Sequence, residues 1–338
     1  MRLPIETSRA ALKYFVTGAT GFVGGRVARL LAQDGHQVVA LVRDPAQAKD
    51  LAGHGIALHT GDVTDKESMR APMTGVDGVF HIAAWYKVGE RDKRPGVPVN
   101  IGGTRNVLEL MRELNIPKGV YTSTLGVHED TGGRLVDESY RYNGPYYTEY
   151  TRTKAEAHRL ADEYIAGGLP LVIAIPGLMY GPGDVGSVHD TLSQYLQGKL
   201  PVIPQRMAFC WAHVDDAARA HILAMEKGRA GETYIIGGPP HTLVEALNIA
   251  QEITGIRPPR AAPAGMFKAL SVVMGVVELV VPLPPLYTRE ALRSLAGVTY
   301  LGDNARARRE LGFNPLPLRE GFAETLEYEM RLLGMPKI

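Results

Sequence analysis

A tyrosine and a lysine four residues apart, Tyr150 and Lys154 in Tyr-Thr-Arg-Thr-Lys, can do acid–base work if they share a helix, because positions i and i+4 face the same way. An ammonium beside a phenol favours the phenolate and lowers a pKa that is ordinarily about 10, so Tyr150 could exchange a proton near neutrality. Alone, such a pair is no more than a solvated helix face. A second feature upstream supplies the context. Residues 14–24 read Tyr-Phe-Val-Thr-Gly-Ala-Thr-Gly-Phe-Val-Gly, a short apolar run that feeds into Gly18, Gly21 and Gly24. Gly18 permits a tight turn, Gly21 lets a pyrophosphate approach the backbone, and Gly24 lets the next helix pack closely on the sheet. That helix, Phe22 to about Gln33, aims its first N–H groups at phosphate oxygens. With a second apolar strand at 37–42 the segment reads as a βαβ unit. The expectation is a dinucleotide cradle formed by Gly18, Thr20, Gly21, Phe22, Val23 and Gly24.

These residues need a scaffold, and the pattern of elements provides one. Strand-like runs at 13–17, 37–42, 57–60, 78–82, 119–122 and 171–175 alternate with helical patterns, which predicts an α/β fold with a doubly wound parallel sheet of Rossmann type. Gly167 and Gly168 end the helix that carries Tyr150 and Lys154, and a proline-rich texture begins at Pro176. The expected organisation is a dinucleotide-binding domain at 11–180 and 206–236, with a smaller, interleaved C-terminal substrate domain at 181–205 and 237–335. At 338 residues, 45% hydrophobic and 22% charged, the chain can bury a large core. A net charge of +1 without a basic block argues against a nucleic-acid partner. Cys210 is the single cysteine, so neither an intramolecular disulfide nor a cysteine metal cluster is expected, and no metal site is assigned. No apolar signal segment precedes the first strand, which favours a cytoplasmic location.

The spaced glycines, the Tyr-x-x-x-Lys pair and the Ser/Thr strand end in Val120-Tyr121-Thr122-Ser123-Thr124 together resemble the extended short-chain dehydrogenase/reductases, the NAD(P)-dependent epimerase/dehydratase family. From Tyr14 to about Gly334 the chain is most similar to dihydroflavonol reductase-like proteins and the hopanoid-associated sugar epimerase-like group. The resemblance implies an enzyme in which Thr124, or its rival Ser123, holds the substrate oxygen beside Tyr150, while Lys154 also reaches the cofactor ribose. It further implies that Asn100 carries a water for proton relay, that Asp62 and Val63 meet the adenine, that Ala83 and Ala84 let the backbone touch the cofactor, and that Pro176 walls the nicotinamide. Asn100 and Asp62 are equally able to cap helices, and the alanines equally suit packing.

An acid at the end of the second strand would bond a ribose 2′-hydroxyl, whereas an arginine accommodates a 2′-phosphate. Val42 stands in the acid's place, Arg43 follows, and Asp44 reads as a cap before Pro45. NADP (as NADPH) is therefore the preferred cofactor, with NAD as the alternative. Sugar-nucleotide members of the family carry an arginine where this chain has Phe209, and Arg206 is the cation best able to replace it. The expected substrate is a small-molecule carbonyl, a ketone or aldehyde of apolar or aromatic character, reduced by hydride from nicotinamide and a proton from Tyr150. The alternatives are an NAD-dependent sugar epimerase or dehydratase and a non-catalytic dinucleotide sensor; the intact Tyr150, Lys154 and Thr124 count against the sensor. His213, Asp215 and Asp216 read as helix capping rather than a ligand set. Residues 266–286 are strongly apolar, but the uninterrupted stretch 269–277 is too short to cross a bilayer, and Glu278 with Pro282, Pro284 and Pro285 argues against its extension. They are expected to form a buried helix or a lid over the substrate, with a homodimer contact or a membrane-surface anchor as the lesser readings.

Overall fold

The computed structural model describes residues 10–283, 287–294 and 296–336. Its first half alternates β1 (Lys13–Thr17), α1 (Phe22–Gln33), β2 (Gln37–Val42), α2 (Lys49–Gly53), β3 (Ala57–Thr60), α3 (Lys66–Met73), β4 (Gly78–His81), α4 (Gly103–Glu113), β5 (Gly119–Thr122), α5 (Glu149–Ala166) and β6 (Leu171–Pro176). The chain then runs through β7 (Leu178–Tyr180), α6 (Ser187–Leu196), β8 (Val202–Pro204), β9 (Ala208–His213), α7 (Val214–Lys227) and β10 (Thr233–Ile236). It continues as β11 (Pro240–Thr242), α8 (Leu243–Thr254), β12 (Arg260–Ala262), α9 (Ala264–Val277), α10 (Arg289–Ser294), β13 (Thr299–Tyr300), α11 (Ala305–Leu311) and α12 (Leu318–Leu332).

Seven of these strands form one parallel sheet in the order β10-β6-β5-β4-β1-β2-β3. Its strands are apolar on both faces because helices cover both: Tyr14 and Val16 of β1 pack toward α1 and α7, and Phe15 packs toward α3 and α4. The strand order reverses between β1 and β4, which opens a crevice at their carboxyl ends. Everything that could do chemistry clusters at that end.

A second, smaller lobe is built from β9 flanked by β7, β11 and β13, with α6, α8 and α12 packed around Tyr180, Trp211, Leu247 and Phe322. Two stretches lie elsewhere than their sequence suggests. Residues 206–236 were assigned to the dinucleotide-binding domain, with a helix and a strand after 210 returning to the main sheet; α7 and β10 do return, β10 pairing with β6, but β9 joins the small sheet. Conversely, α11 lies within the expected substrate domain yet buries Ala307 and Leu311 in the core beneath α1 and α7. The segment 266–286 also departs from expectation. Pro284, Pro285 and Leu286 lie outside the described residues, and of α9 itself only Phe267 and Ser271 are buried.

Candidate active site

The cradle follows from glycine sterics. Gly18 has φ 74°, and a Cβ there would lie 2.7 Å from the Ala83 nitrogen; a Cβ on Gly24 would lie 2.2 Å from the Gly18 carbonyl oxygen. Any side chain at either position would force the loop away from the end of β4 or the helix away from the loop. Gly21 is the N-cap of α1 and no side chain caps that end, so the first-turn N–H groups remain available to an anion. Thr20 and Gly21 are exposed, Phe22 is half-buried, and Val23 is core. Arg26 lies over the Phe22 ring and bonds Asp215 at 2.7 Å, tying the cradle helix to the start of α7. A cradle a Cβ would fill, beneath an uncapped helix end at the switch point, fits a dinucleotide pyrophosphate.

The strand register lines up three polar side chains across the sheet: Thr17 of β1 opposite His81 of β4, and His81 opposite Tyr121 of β5. Thr17 Oγ1 lies 2.8 Å from His81 Nδ1 and accepts from the Ile82 and Ala83 N–H groups at 3.1 and 3.2 Å. His81 Nε2 lies 3.0 Å from Thr104 Oγ1, which donates to the Asn100 carbonyl at 2.6 Å. Thr104 has one proton and spends it on Asn100, so His81 donates from Nε2 and accepts from Thr17 at Nδ1. Its ring is neutral. Burial, with the nearby Lys154 charge adding to it, pulls its pKa down to about 3. The ring stacks on Tyr121, whose hydroxyl accepts from Lys154 Nζ at 3.0 Å. A buried series of hydrogen bonds, with one ring stack between His81 and Tyr121, thus joins the cofactor loop to the lysine.

Tyr150 and Lys154 both lie on α5, which Thr148 caps by accepting from Thr151 N. Lys154 is buried, donates to the Thr122 carbonyl at 2.7 Å, and has its pKa drawn down to about 7 by burial. Tyr150 is half-buried, and burial raises its phenol pKa, opposed by a hydrogen bond with Thr124. This corrects the expectation that Lys154 lowers the Tyr150 pKa in the chain as it stands. The ammonium is instead taken up at the end of β5 by a carbonyl and a second phenol, a local acceptor set that the i, i+4 spacing does not reveal.

The remaining candidates separate clearly. Thr124 lies two residues beyond β5, accepts from Gly126 N and meets Tyr150, whereas the Ser123 hydroxyl turns away to His158 Nδ1 at 2.7 Å, because successive residues of an extended chain face opposite sides. Asn100 is buried in a π-helical turn at Val97–Gly102; its amide accepts from Trp85 N and donates to Trp85 O and Thr153 Oγ1. The side chain fastens the loop after β4 to α5, and it neither caps a helix nor keeps a donor for a water. Asp62 accepts from the N–H and hydroxyl of Thr64, while Asp65 caps α3. Val63 packs on Gly103 of α4. The Ala83 N–H is held by Thr17, Ala84 beside it is half-buried, and Pro176 ends β6 next to Gly177, where a Cβ would lie 2.0 Å from the Cys210 carbonyl oxygen. Arg43 is exposed and bonds to none of the described residues, and Asp44 caps the turn at Pro45–Ala48. His213 caps α7, Asp215 pairs with Arg26, and Asp216 accepts from Leu316 N.

One residue was not foreseen. Glu129 follows the turn that Thr124 opens, has no exposed surface and takes φ 46°, ψ −139°, a conformation ordinarily left to glycine. Its carboxyl accepts from Tyr147 N and the Tyr300 hydroxyl, and burial pushes its pKa up to about 7. Tyr300 in turn stacks on Phe209, rings nearly parallel with centroids 5.7 Å apart. An acidic pair, Glu129-Asp130, a few residues after the Ser/Thr strand end was the available signal.

The comparisons with known proteins agree with this geometry. The chain belongs to the NAD dependent epimerase/dehydratase family, whose model matches residues 14–237, and it is an NAD(P)-dependent enzyme of the extended short-chain dehydrogenase/reductase type. It is 31% identical over 332 residues to the 2-alkyl-3-oxoalkanoate reductase of Stenotrophomonas maltophilia, covering 92% of this chain and 97% of that protein. It is 28% identical over 320 residues to sterol demethylase protein B of Methylococcus capsulatus, covering 93% and 97%. The crystal structure of gox2253 superposes with a TM-score of 0.81 at 28% identity, over 96% of this chain and 99% of that one.

Proposed function

We propose that this enzyme reduces a ketone or aldehyde on an apolar or aromatic small molecule, with NADPH as the preferred cofactor. The observation that carries the reading is the pairing of Tyr150 and Thr124 at the end of β5 with a stacked Phe209–Tyr300 wall in place of a cation. Gly18, Gly21, Gly24 and the start of α1 would hold the dinucleotide, and Arg43 would face its 2′-phosphate. When bound, the nicotinamide supplies the hydride. Thr124 donates its one hydrogen bond to the carbonyl oxygen, Tyr150 gives that oxygen its proton, and the phenolate left behind is favoured by the Lys154 charge one helical turn away. The reductases among the relatives support this class of reaction.

The test joins two measurements. Oxidation of NADPH is followed with a panel of aromatic and alicyclic ketones, and UDP binding is measured by calorimetry. Turnover with the ketones and no UDP binding is the expected result. Micromolar UDP binding that Arg206→Ala removes, together with NAD retained through purification, would replace the reductase by a sugar-nucleotide epimerase or dehydratase.

A further inference from the structure

Helix α9 and the turn after it carry their apolar residues outward. Phe267 and Met274 pack with Ala262, Leu292 and Ala296, and Ser271 is buried where it and Val272 line a cavity with Tyr147 and Glu149 at the start of α5; the other side of the helix has no protein against it among the described residues. Val272, Val273 and Val276 are each more than half exposed, Leu279 is 84% and Val280 83% exposed, and Met266 and Leu270 extend the surface toward the start of the helix. A lid would turn this side toward the substrate crevice. Here it faces solvent over three turns, more apolar area than a soluble surface ordinarily leaves uncovered.

Charge identifies what covers it. Between Arg257 and Arg293 the sequence holds five cations (Arg257, Arg260, Lys268, Arg289, Arg293) against two acids, Glu278 and Glu290. Glu290 is buried, pairs with Lys93 and accepts from Glu149 N, whereas Glu278 is exposed at the end of α9 and accepts from Arg289 N. Counted over these residues the segment is net positive in a chain whose total is +1, and Arg257, Arg260, Lys268 and Arg289, on α9 and the segments flanking it in sequence, are exposed. Two copies meeting through this face would bring like charges together. Anionic lipid headgroups would neutralise them while the acyl boundary takes the aliphatic side chains. With 14 residues α9 is too short to span, and among the described residues no helix is long and apolar enough to cross a membrane.

We propose that α9 and Leu279–Val281 form a foot that lies in the surface of an anionic phospholipid leaflet, valines and leucines inserted and the surrounding cations at the headgroups. This holds whatever the enzyme's substrate.

The experiment is co-sedimentation of the full chain with vesicles of equal parts phosphatidylcholine and phosphatidylglycerol, beside vesicles of phosphatidylcholine alone. Binding to the anionic vesicles should exceed binding to the neutral ones at least about tenfold and weaken at about 0.5 M NaCl. The triple substitution Val276→Ser, Leu279→Ser, Val280→Ser touches only exposed side chains and should lower vesicle affinity at least about tenfold while leaving the thermal midpoint and NADPH affinity unchanged. Failure of the wild type to bind anionic vesicles overturns the proposal, as does binding that survives the triple substitution. Sedimentation velocity separates the rival occupant: concentration-dependent dimerisation abolished by the same substitution, without vesicle binding, makes this face a contact between copies.

Discussion

The buried carboxyl of Glu129 should make the fold less stable as pH rises, and Glu129→Gln should remove that dependence. Burial holds the folded-state pKa at about 7, against an ordinary value of 4.5 that applies when the chain unfolds. Below the unfolded value both states carry the proton and the group's contribution is complete. Between the two values only the folded state keeps it, and above the folded value the cost of a buried carboxylate is fully present. At about 1.4 kcal/mol per pH unit this gap amounts to about 3 kcal/mol, an upper value for one group. The backbone adds a second term, because φ 46°, ψ −139° at a residue with a Cβ costs about 1–3 kcal/mol. Thermal midpoints of the cofactor-free protein at about pH 5 and about pH 8 read both effects. The wild type should lose several degrees more than Glu129→Gln over that interval, and Glu129→Gly should melt above Glu129→Ala at either pH. Equal pH dependence in wild type and glutamine variant would refute the protonated buried acid. A glycine variant no more stable than the alanine variant would refute the strain.

Three other outcomes are expected. Tyr150→Phe should abolish turnover while leaving the NADPH dissociation constant within a few-fold, whereas Lys154→Met should damage both, since it also breaks the bonds to Tyr121 and Thr122; steady-state rates and fluorescence titration separate the two. Val42→Asp with Arg43→Ala should move preference from NADP to NAD, measured as the ratio of the two dissociation constants, and a wild type that already binds NAD more tightly defeats that reading. Gly24→Ala places a methyl 2.2 Å from the Gly18 carbonyl oxygen and should weaken dinucleotide binding at least about tenfold in calorimetry, while affinity equal to wild type would mean the loop yields freely.

The central sheet and its cradle were legible because local chemistry dictates them. β1, β2, β3 and β5 match their apolar runs residue for residue, and Gly18 and Gly24 stand where a Cβ has no room. Ser123 and Thr124 face opposite ways, but the sequence does not say which of them meets Tyr150 until α5 is placed. What the chain did not disclose depends on distant partners. His81 reads as one histidine at an apolar strand end until the register places it between Thr17 and Tyr121. Asn100 reads as a free amide until Trp85 and Thr153 consume it. The exposure of α9 was hidden for a related reason: an all-apolar helix predicts burial, and only the three-dimensional arrangement shows which surface has nothing against it.

The place of β10 at the outer edge of the large sheet bears on how the chain is made. When β6 leaves the ribosome, its free edge offers unpaired N–H and C=O groups, and the strand that will cover them lies more than fifty residues downstream, beyond β7, α6, β8, β9 and α7. The helix that seals the same corner, α11, is synthesised later still. For that interval the nascent chain holds a half-finished sheet with an open template for pairing, and the long sequence separation slows its closure. Crowded expression should therefore direct this chain toward aggregates at the β6 edge, and faster translation through residues 177–232, or a chaperone that occupies that edge, should raise the yield of native enzyme.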